Sequence, residues 1–220
     1  MVPPIDLLLF DPESFFESEK WNRWAGPAAV LGVLVVVRLL AAYPAYQITH
    51  QMVGGLRGGS IAVFISIGTV VLLAVLVPVY WLLVSVTAFG VGSWFDGDGG
   101  FSMTAQAIAW GFVPHVIGTL VSVARGYIRY LRMEVPHITA EMSRQEIQQL
   151  AGQVRGEPTD PINLIVTLVG LVMLFWSGYL WTVGIAEGHG IERRHAVIAV
   201  APWIALPLLV TVVRYVLALV

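Results

Sequence analysis

The sequence predicts an all-α protein, a polytopic membrane helix bundle with five transmembrane helices plus short interfacial or amphipathic helices. The 220 residues are 57% hydrophobic and 12% charged, with a mean hydropathy of +0.79, whereas ordinary soluble domains carry ~25% charged residues. Two long stretches, residues 58–95 and 99–124, contain no acidic or basic residue apart from one histidine. A short glycine-rich turn with two carboxylates separates them, as expected where a chain reaches water between two membrane spans.

The composition also excludes several classes of function. The formal net charge of −2 gives nucleic acid no electrostatic attraction, so we expect no nucleic-acid partner. The chain has no cysteine, which excludes disulfides, thiolate metal sites and cysteine nucleophiles. Lys20 is the sole lysine beside many arginines, a bias that is typical of a GC-rich genome and makes the chain look prokaryotic.

Residues 1–23 are predicted to form an interfacial N-terminal segment. Asp11 followed by Pro12 is a helix start, because the aspartate side chain caps the helix and proline at the first helical position gives up no needed donor. We expect the aromatic side chains of this region to lie at the depth of the lipid headgroups. These are Phe15, Phe16, Trp21 and Trp24.

The five predicted spans are connected by segments of differing polarity. They cover about residues 24–43, 61–92, 102–124, 162–186 and 196–219. Between the first two, residues 44–60 contain four glycines and are predicted to be a flexible loop. The second span is long for one straight crossing, so we expect a tilt or a kink at Pro78. Ser102 or Thr104 is predicted to cap the third span.

The third span carries a row of small residues and a proline. Gly118, Ser122 and Gly126 recur at every fourth position, a spacing that allows two helices to approach closely. Pro114 is expected to kink the span. For His115 beside it, we favour a buried histidine with a hydrogen-bond partner over a proton relay.

Residues 125–160 are predicted to be a polar connecting loop with an amphipathic helix. Ser143 and Glu146 form a capping box ahead of that helix, which would lie on the membrane or on a partner. Asp160 followed by Pro161 repeats the helix-start signal of the N-terminal segment and opens the fourth span.

Three polar residues fall inside predicted spans and are candidate intramembrane functional groups: Arg38, His115 and Arg214. Arginine at the bilayer centre costs ~2.5–3.5 kcal/mol on insertion scales. Arg38 and Arg214 each lie toward the end of a span, so we expect their side chains to extend to the nearer interface. The alternative is a buried functional partner.

The glycine-rich turn is the candidate interaction loop, and its residues are Asp96, Asp98, Gly99, Gly100 and Phe101. Glycine permits backbone conformations that other residues resist, and loops held between rigid elements often carry binding sites. We therefore predict a surface for an unknown membrane protein partner here. A calcium loop is the alternative for the two aspartates, but the glutamate such a loop needs at its twelfth position is replaced by alanine.

The sequence gives no motif for catalysis. His189, Glu192 and His195 are metal-ligand types at three-residue steps, yet flanking glycines break the helix that would align them and two arginines would repel a cation. No serine-nucleophile turn and no paired intramembrane carboxylates occur. We expect no enzyme activity, no cofactor and no metal.

Taken in order along the chain, several features resemble the Yip family, the Ypt/Rab-GTPase-interacting integral membrane proteins. They are the N-terminal stretch 10–16 (FDPESFF), five spans, the turn ending 99–102 (GGFS), Pro114 in the third span, and the exit 181–187 leading into 194–196. The resemblance implies a single domain over residues 1–220. For eukaryotic relatives it implies a cytosolic N-terminus and roles in membrane trafficking through small GTPases.

The resemblance and the charge count differ on orientation. Four Lys and Arg residues fall on the N-terminal side and eight on the other, which places the N-terminus outside by the positive-inside rule. We follow the resemblance and expect a multi-pass protein of the cell membrane with a cytoplasmic N-terminus. We expect it to organise or scaffold membrane components through partner binding, with further copies of the chain in an oligomer among its expected partners. The alternatives are a transporter or channel subunit and, third, an intramembrane enzyme.

Overall fold

A computed structural model describes residues 5–18, 21–53, 59–139, 141–155 and 160–219, and in these ranges the chain forms helices and turns with no strand. The ten helices are α1 (Ile5–Phe10), α2 (Pro12–Glu17), α3 (Ala25–Leu40), α4 (Ala42–Val53), α5 (Gly59–Trp94), α6 (Phe101–Trp110), α7 (Val113–Arg132), α8 (Arg144–Arg155), α9 (Pro161–His189) and α10 (Arg193–Leu219). The predicted all-α fold class is confirmed.

Five helical stretches of the described chain are long and apolar enough to cross a membrane. They are Ala25–Val53, Gly59–Trp94, Phe101–Arg132, Pro161–His189 and Arg193–Leu217. The first joins α3 to α4 and the third joins α6 to α7, so two of the five contain a break. Many of their apolar side chains are exposed on the outside of the bundle, where the lipid supplies the apolar surroundings. The protein is a multi-pass membrane protein.

The predicted helix starts are present. Asp11 caps α2, its carboxylate accepting from the backbone N–H three residues on at 3.3 Å. Asp160 caps α9 in the same way, accepting from the N–H two residues on at 2.8 Å. The capping box of α8 is complete, because Glu146 accepts from the backbone N–H of Ser143 at 2.7 Å and Ser143 Oγ accepts from that of Glu146 at 3.3 Å.

The flexible loop predicted for residues 44–60 is wrong over its first part, since α4 continues the helical path to Val53; residues 54–58 lie outside the described residues. Pro44 does not stop the helix because it lies in the first turn of α4, where a missing N–H costs no hydrogen bond. Packing then holds α4 against α5, and Thr49 Oγ1 lies 3.1 Å from Ser66 Oγ.

The third span consists of two helices, α6 and α7, rather than one kinked helix over residues 102–124. It also continues to Arg132, so the first residues of the predicted polar loop are helical. Pro114 has no N–H for the carbonyl four residues earlier, and the chain restarts as α7 with proline in its first turn. The break frees the carbonyl of Ile108, which accepts from the indole N–H of Trp181 at 2.8 Å. Gly111 makes room for that indole, because a Cβ there would overlap it.

The predicted caps of the third span are also wrong. Gly100 occupies the N-cap position of α6 without a side-chain cap. Ser102 Oγ instead accepts from the indole of Trp24 at 3.2 Å, and Thr104 Oγ1 lies 2.7 Å from Nε2 of His189. Both hydroxyls therefore join α6 to neighbouring segments.

The N-terminal segment packs into the bundle rather than lying among lipid headgroups as predicted. Phe15, Phe16 and Trp21 are buried, and the ring of Phe15 meets that of Trp110 edge-to-face at 5.2 Å between centroids. The indole of Trp110 donates to the carbonyl of Trp21 at 3.1 Å. Of the four aromatic residues expected at the interface, Trp24 alone is exposed. Edge-to-face pairs with a satisfied indole N–H make this buried arrangement favourable.

The bundle has two chemically different ends. At one end α2, the turn before α6 and the turn between α9 and α10 meet, and Arg193 forms an ion pair with Glu13 at 2.8 Å. At the other end α4 contacts the segment that follows α7, where the backbone N–H of Ile138 donates to the carbonyl of Met52 at 2.8 Å. We call these the turn end and the loop end.

Candidate functional site

The glycine-rich turn, residues 95–100 between α5 and α6, is fixed against the last residues of α9. The backbone N–H of Asp98 donates to the carbonyl of His189 at 3.0 Å. A Cβ on Gly97 would lie 2.8 Å from Cβ of His189, and a Cβ on Gly99 would overlap the carbonyl oxygen of Gly188. Close backbone approach therefore explains two of the glycines in the turn.

His189 is the anchor of the turn, a role that the sequence analysis missed. Its side chain is buried, and Nε2 lies 2.7 Å from the hydroxyl of Thr104. α9 ends directly after it, because Gly190 adopts a left-handed conformation with φ 65°. The sequence signal that was available is the histidine followed by a C-terminal capping glycine, which places the imidazole at a helix end beside the turn.

The predicted loop residues divide into an outward and an inward set. Asp96 and Asp98 are exposed, and neither joins an ion pair in the described part of the chain. Asp96 has φ 57°, a left-handed conformation that aspartate tolerates better than most residues. Phe101 is 38% exposed. Gly99 is buried in the packing, whereas Gly100 is exposed with open space around its Cβ position.

The turn end carries an excess of acidic side chains. Among the described residues its acidic members are Asp6, Asp11, Glu13, Glu17, Asp96, Asp98, Glu187 and Glu192, and its basic members are Arg23, Arg193 and Arg194. The loop end is balanced among the described residues, because Arg129, Arg132, Arg144 and Arg155 are matched in number by Glu134, Glu141, Glu146 and Asp160. A charged surface of one sign at the membrane boundary favours a partner or lipid of the other sign.

The metal-ligand types noted near the turn point in different directions. His189 faces Thr104, while the ring of His195 stacks on Phe95 with 3.9 Å between centroids. Glu192 forms an ion pair with Arg194 at 2.6 Å. In the part of the chain that the structure describes, no group of three potential metal ligands comes together.

Inside the membrane-spanning region, the three candidate polar residues converge on one cavity. The cavity has a volume of about 430 Å³, is open on one side, and is lined by residues of α3, α7, α9 and α10. Arg38, His115 and Arg214 all line it, although 176 positions separate the first from the last. Arg125, the first residue of the predicted polar connecting loop, lines it as well.

The individual environments of these residues differ. His115 Nδ1 lies 2.9 Å from Oγ of Ser177, the hydrogen-bonded arrangement that was favoured for it. Arg38 is half-buried, and its Nε is buried with no hydrogen-bond partner among the described residues. Arg214 is exposed on α10 and reaches the cavity from the lipid side.

The small residues in α7 leave space for the cavity rather than forming a close helix contact. Gly118 and Ser122 line the cavity, and a Cβ on Gly118 would meet Cγ of Met173 at an ordinary contact distance of 3.4 Å. Gly126 is farther from its neighbour, with Pro44 at 4.0 Å. The predicted tight interface is therefore wrong, and the small side chains leave space instead.

Comparison with known proteins identifies the family. Residues 5–214, nearly the whole chain, match the Yip1 domain. No curated protein and no solved structure matches the chain significantly. The match agrees with five membrane-spanning helical stretches and with the order of motifs from the N-terminal segment to the turn between α9 and α10. The chain belongs to the Yip1 domain family.

Proposed function

We propose that this protein is a non-enzymatic membrane organiser that binds a second membrane protein at its turn end. The observation that carries the proposal is the pair of exposed carboxylates, Asp96 and Asp98, on a turn whose backbone is fixed by His189. A surface that is already ordered loses less conformational entropy when a partner binds. Loops fixed on a rigid scaffold are common binding sites.

The chemistry of the turn end defines the expected partner. Its acidic excess favours a membrane protein with basic residues next to its membrane-spanning helices. Trp94, two residues before Asp96, is 83% exposed, and Phe10 at the end of α1 is 84% exposed. Exposed tryptophan beside charged groups is typical of the residues that dominate binding energy at interfaces. By family resemblance this end faces the cytoplasm at the cell membrane.

Crosslinking in native membranes tests the proposal. We expect the wild-type chain to crosslink to and co-purify with a defined membrane protein. The double variant Asp96→Asn with Asp98→Asn should reduce that recovery by about tenfold, since it removes two charges and keeps side-chain shape. The matched control, Glu134→Gln with Glu141→Gln at the loop end, should retain the partner. If the double Asn variant folds normally and keeps its partners, the turn connects α5 and α6 without binding a partner, and the proposal fails.

A transporter or channel subunit is the second candidate, and the cavity is the observation that favours it. Arg38, His115 and Arg214 place polar groups on one space inside the membrane-spanning region. Purified protein in liposomes distinguishes the two functions. Anion flux that depends on the protein and is lost in Arg125→Gln would favour the transporter, whereas the organiser predicts no flux above that of protein-free liposomes.

A further inference from the structure

We propose that the intramembrane cavity binds the phosphate of an anionic phospholipid. The proposed ligand goes beyond the organiser function, because the cavity uses different residues from the turn. Either proposal can therefore fail without the other.

The first argument is the excess of positive charge at the cavity. The guanidinium groups of Arg38, Arg125 and Arg214 come from three different helices, and no aspartate or glutamate lines the cavity. None of the three forms an ion pair with a described residue. The carboxylate of Asp160 caps α9 and lies near Arg125 in a neighbouring groove, so it offsets part of the charge of that one arginine. An arginine within a span is costly in the membrane, so an anion in the cavity would offset part of the cost of the three.

The second argument is the geometry of the arginine donors. Arg38 lines the cavity, and its buried Nε has no hydrogen-bond partner among the described residues. A guanidinium presents its N–H groups in a planar fork that matches two phosphate oxygens at once. Phosphate is therefore the anion that would satisfy both the charge and the donor geometry.

The third argument is the size and the remaining lining. A volume of about 430 Å³ falls in the range of ~300–1,000 Å³ that is usual for small-molecule sites. Hydroxyl groups complete the wall: Thr119 and Ser122 lie on α7, and Thr167 Oγ1 lies 2.8 Å from Oη of Tyr215 between α9 and α10. These are neutral groups that can donate to a phosphate or a glycerol oxygen.

Apolar grooves beside the cavity favour a lipid over free phosphate. A groove of about 320 Å³ runs between α9 and α10, and its polar residues Thr167, Thr211 and Tyr215 also line the cavity. Its other walls are aliphatic: Leu164, Leu168, Leu171, Leu208, Val212 and Val216. A second groove of about 620 Å³ shares Arg125 and is lined by apolar residues of α7 and α9 together with Arg129 and Arg132. Acyl chains fit such surfaces, and an inorganic ion would leave them unused.

Lipid retention by the purified protein tests the ligand class. The chain is purified in mild detergent, and native mass spectrometry measures retained phosphatidylglycerol and phosphatidylcholine from an equal mixture. We expect phosphatidylglycerol to be retained about tenfold more, and sodium phosphate at matched ionic strength not to displace it. Equal retention of both lipids would overturn charge recognition. Displacement by millimolar phosphate would show that the site takes a soluble anion.

Single variants locate the site. Arg38→Gln and Arg125→Gln should each reduce phosphatidylglycerol retention about tenfold, because each removes a charged contact to the phosphate. Arg23→Gln is the matched control, since Arg23 is exposed at the turn end. Arg214→Gln keeps the test valid if a buried arginine proves necessary for folding, because Arg214 is exposed. Wild-type retention in all folded cavity variants would overturn the proposal.

Discussion

At the scale of single residues, the imidazole of His189 determines the shape of the turn end. Nε2 contacts the hydroxyl of Thr104, and the carbonyl of the same residue accepts from Asp98. A Cβ on Gly92 would come within 2.7 Å of the ring. Gly92, Gly97 and Gly99 are thus specific to their positions, and one histidine joins α5, α6 and α9.

The two adjacent glycines Gly99 and Gly100 should respond differently to the same change. Gly99→Ala places a Cβ against the carbonyl of Gly188 and the ring of His189, and should destabilise the fold by about 1–3 kcal/mol. Gly100→Ala is the control, because nothing lies within 4 Å of its Cβ position. Thermal unfolding in detergent measures both. Equal midpoints for the two variants would contradict the docked turn.

Acid should loosen the N-terminal segment through one ion pair. The guanidinium of Arg193, hydrogen-bonded to Glu13, lowers the pKa of that carboxyl below its ordinary value. A carboxyl whose pKa is lower in the folded state contributes stability that is complete above the unfolded-state pKa and is lost as the pH falls through the folded-state pKa. We expect Glu13→Gln to remove part of the acid-side decline in thermal stability.

The control for this pH profile is Glu17→Gln in the same helix. Glu17 is exposed and forms no ion pair in the described part of the chain. Its substitution should leave the acid-side decline as in wild type. Identical profiles for Glu13→Gln and wild type would show that the ion pair with Arg193 does not contribute to folding.

At the scale of helices, local signals predicted starts well and breaks poorly. Asp11 and Asp160 cap helices as predicted because each acts on its own backbone within three residues. Pro114 indicated that the helix would be kinked or interrupted. The full break depends on Trp181, which is distant in sequence and donates to the carbonyl of Ile108 that the break leaves free. The N-terminal aromatic residues were misplaced for the same reason, since Trp110 decides whether Phe15 faces lipid or core.

Trp181 should be the more sensitive of two tryptophans to replacement by phenylalanine. Trp181→Phe leaves the buried carbonyl of Ile108 without its donor, so we expect a loss of about 1–3 kcal/mol in the free energy of unfolding. Trp94→Phe is the control, since Trp94 is exposed and forms no hydrogen bond with a described residue. Chemical denaturation in detergent measures both. If Trp181→Phe leaves the free energy of unfolding unchanged, the break between α6 and α7 does not need the hydrogen bond from the indole.

At the scale of the whole molecule, the sequence predicted each intramembrane polar residue but not that these residues line one cavity. Arg38, His115 and Arg214 were chosen one at a time because each is polar within an apolar span. Their convergence with Arg125 depends on how four helices pack, which no local spacing encodes. The small residues of α7 illustrate the same limit, because their spacing is equally compatible with a tight helix contact and with a cavity wall.

The arrangement of the two ends relative to the membrane is the central feature of this account. Five crossings place the turn end, with α2 and the glycine-rich turn, on one side and the loop end, with α8, on the other. The acidic excess of the turn end then faces one compartment. The partner proposal depends on this separation.

Labelling of single introduced cysteines tests that arrangement most directly, because the chain has no cysteine of its own. Ser18→Cys, Ser93→Cys and Ser143→Cys are treated in sealed membranes with a thiol reagent that cannot cross the bilayer. The five-span architecture predicts that Ser18→Cys and Ser93→Cys label from the same side and Ser143→Cys labels from the other. Labelling of Ser143→Cys from the same side as the other two would contradict it.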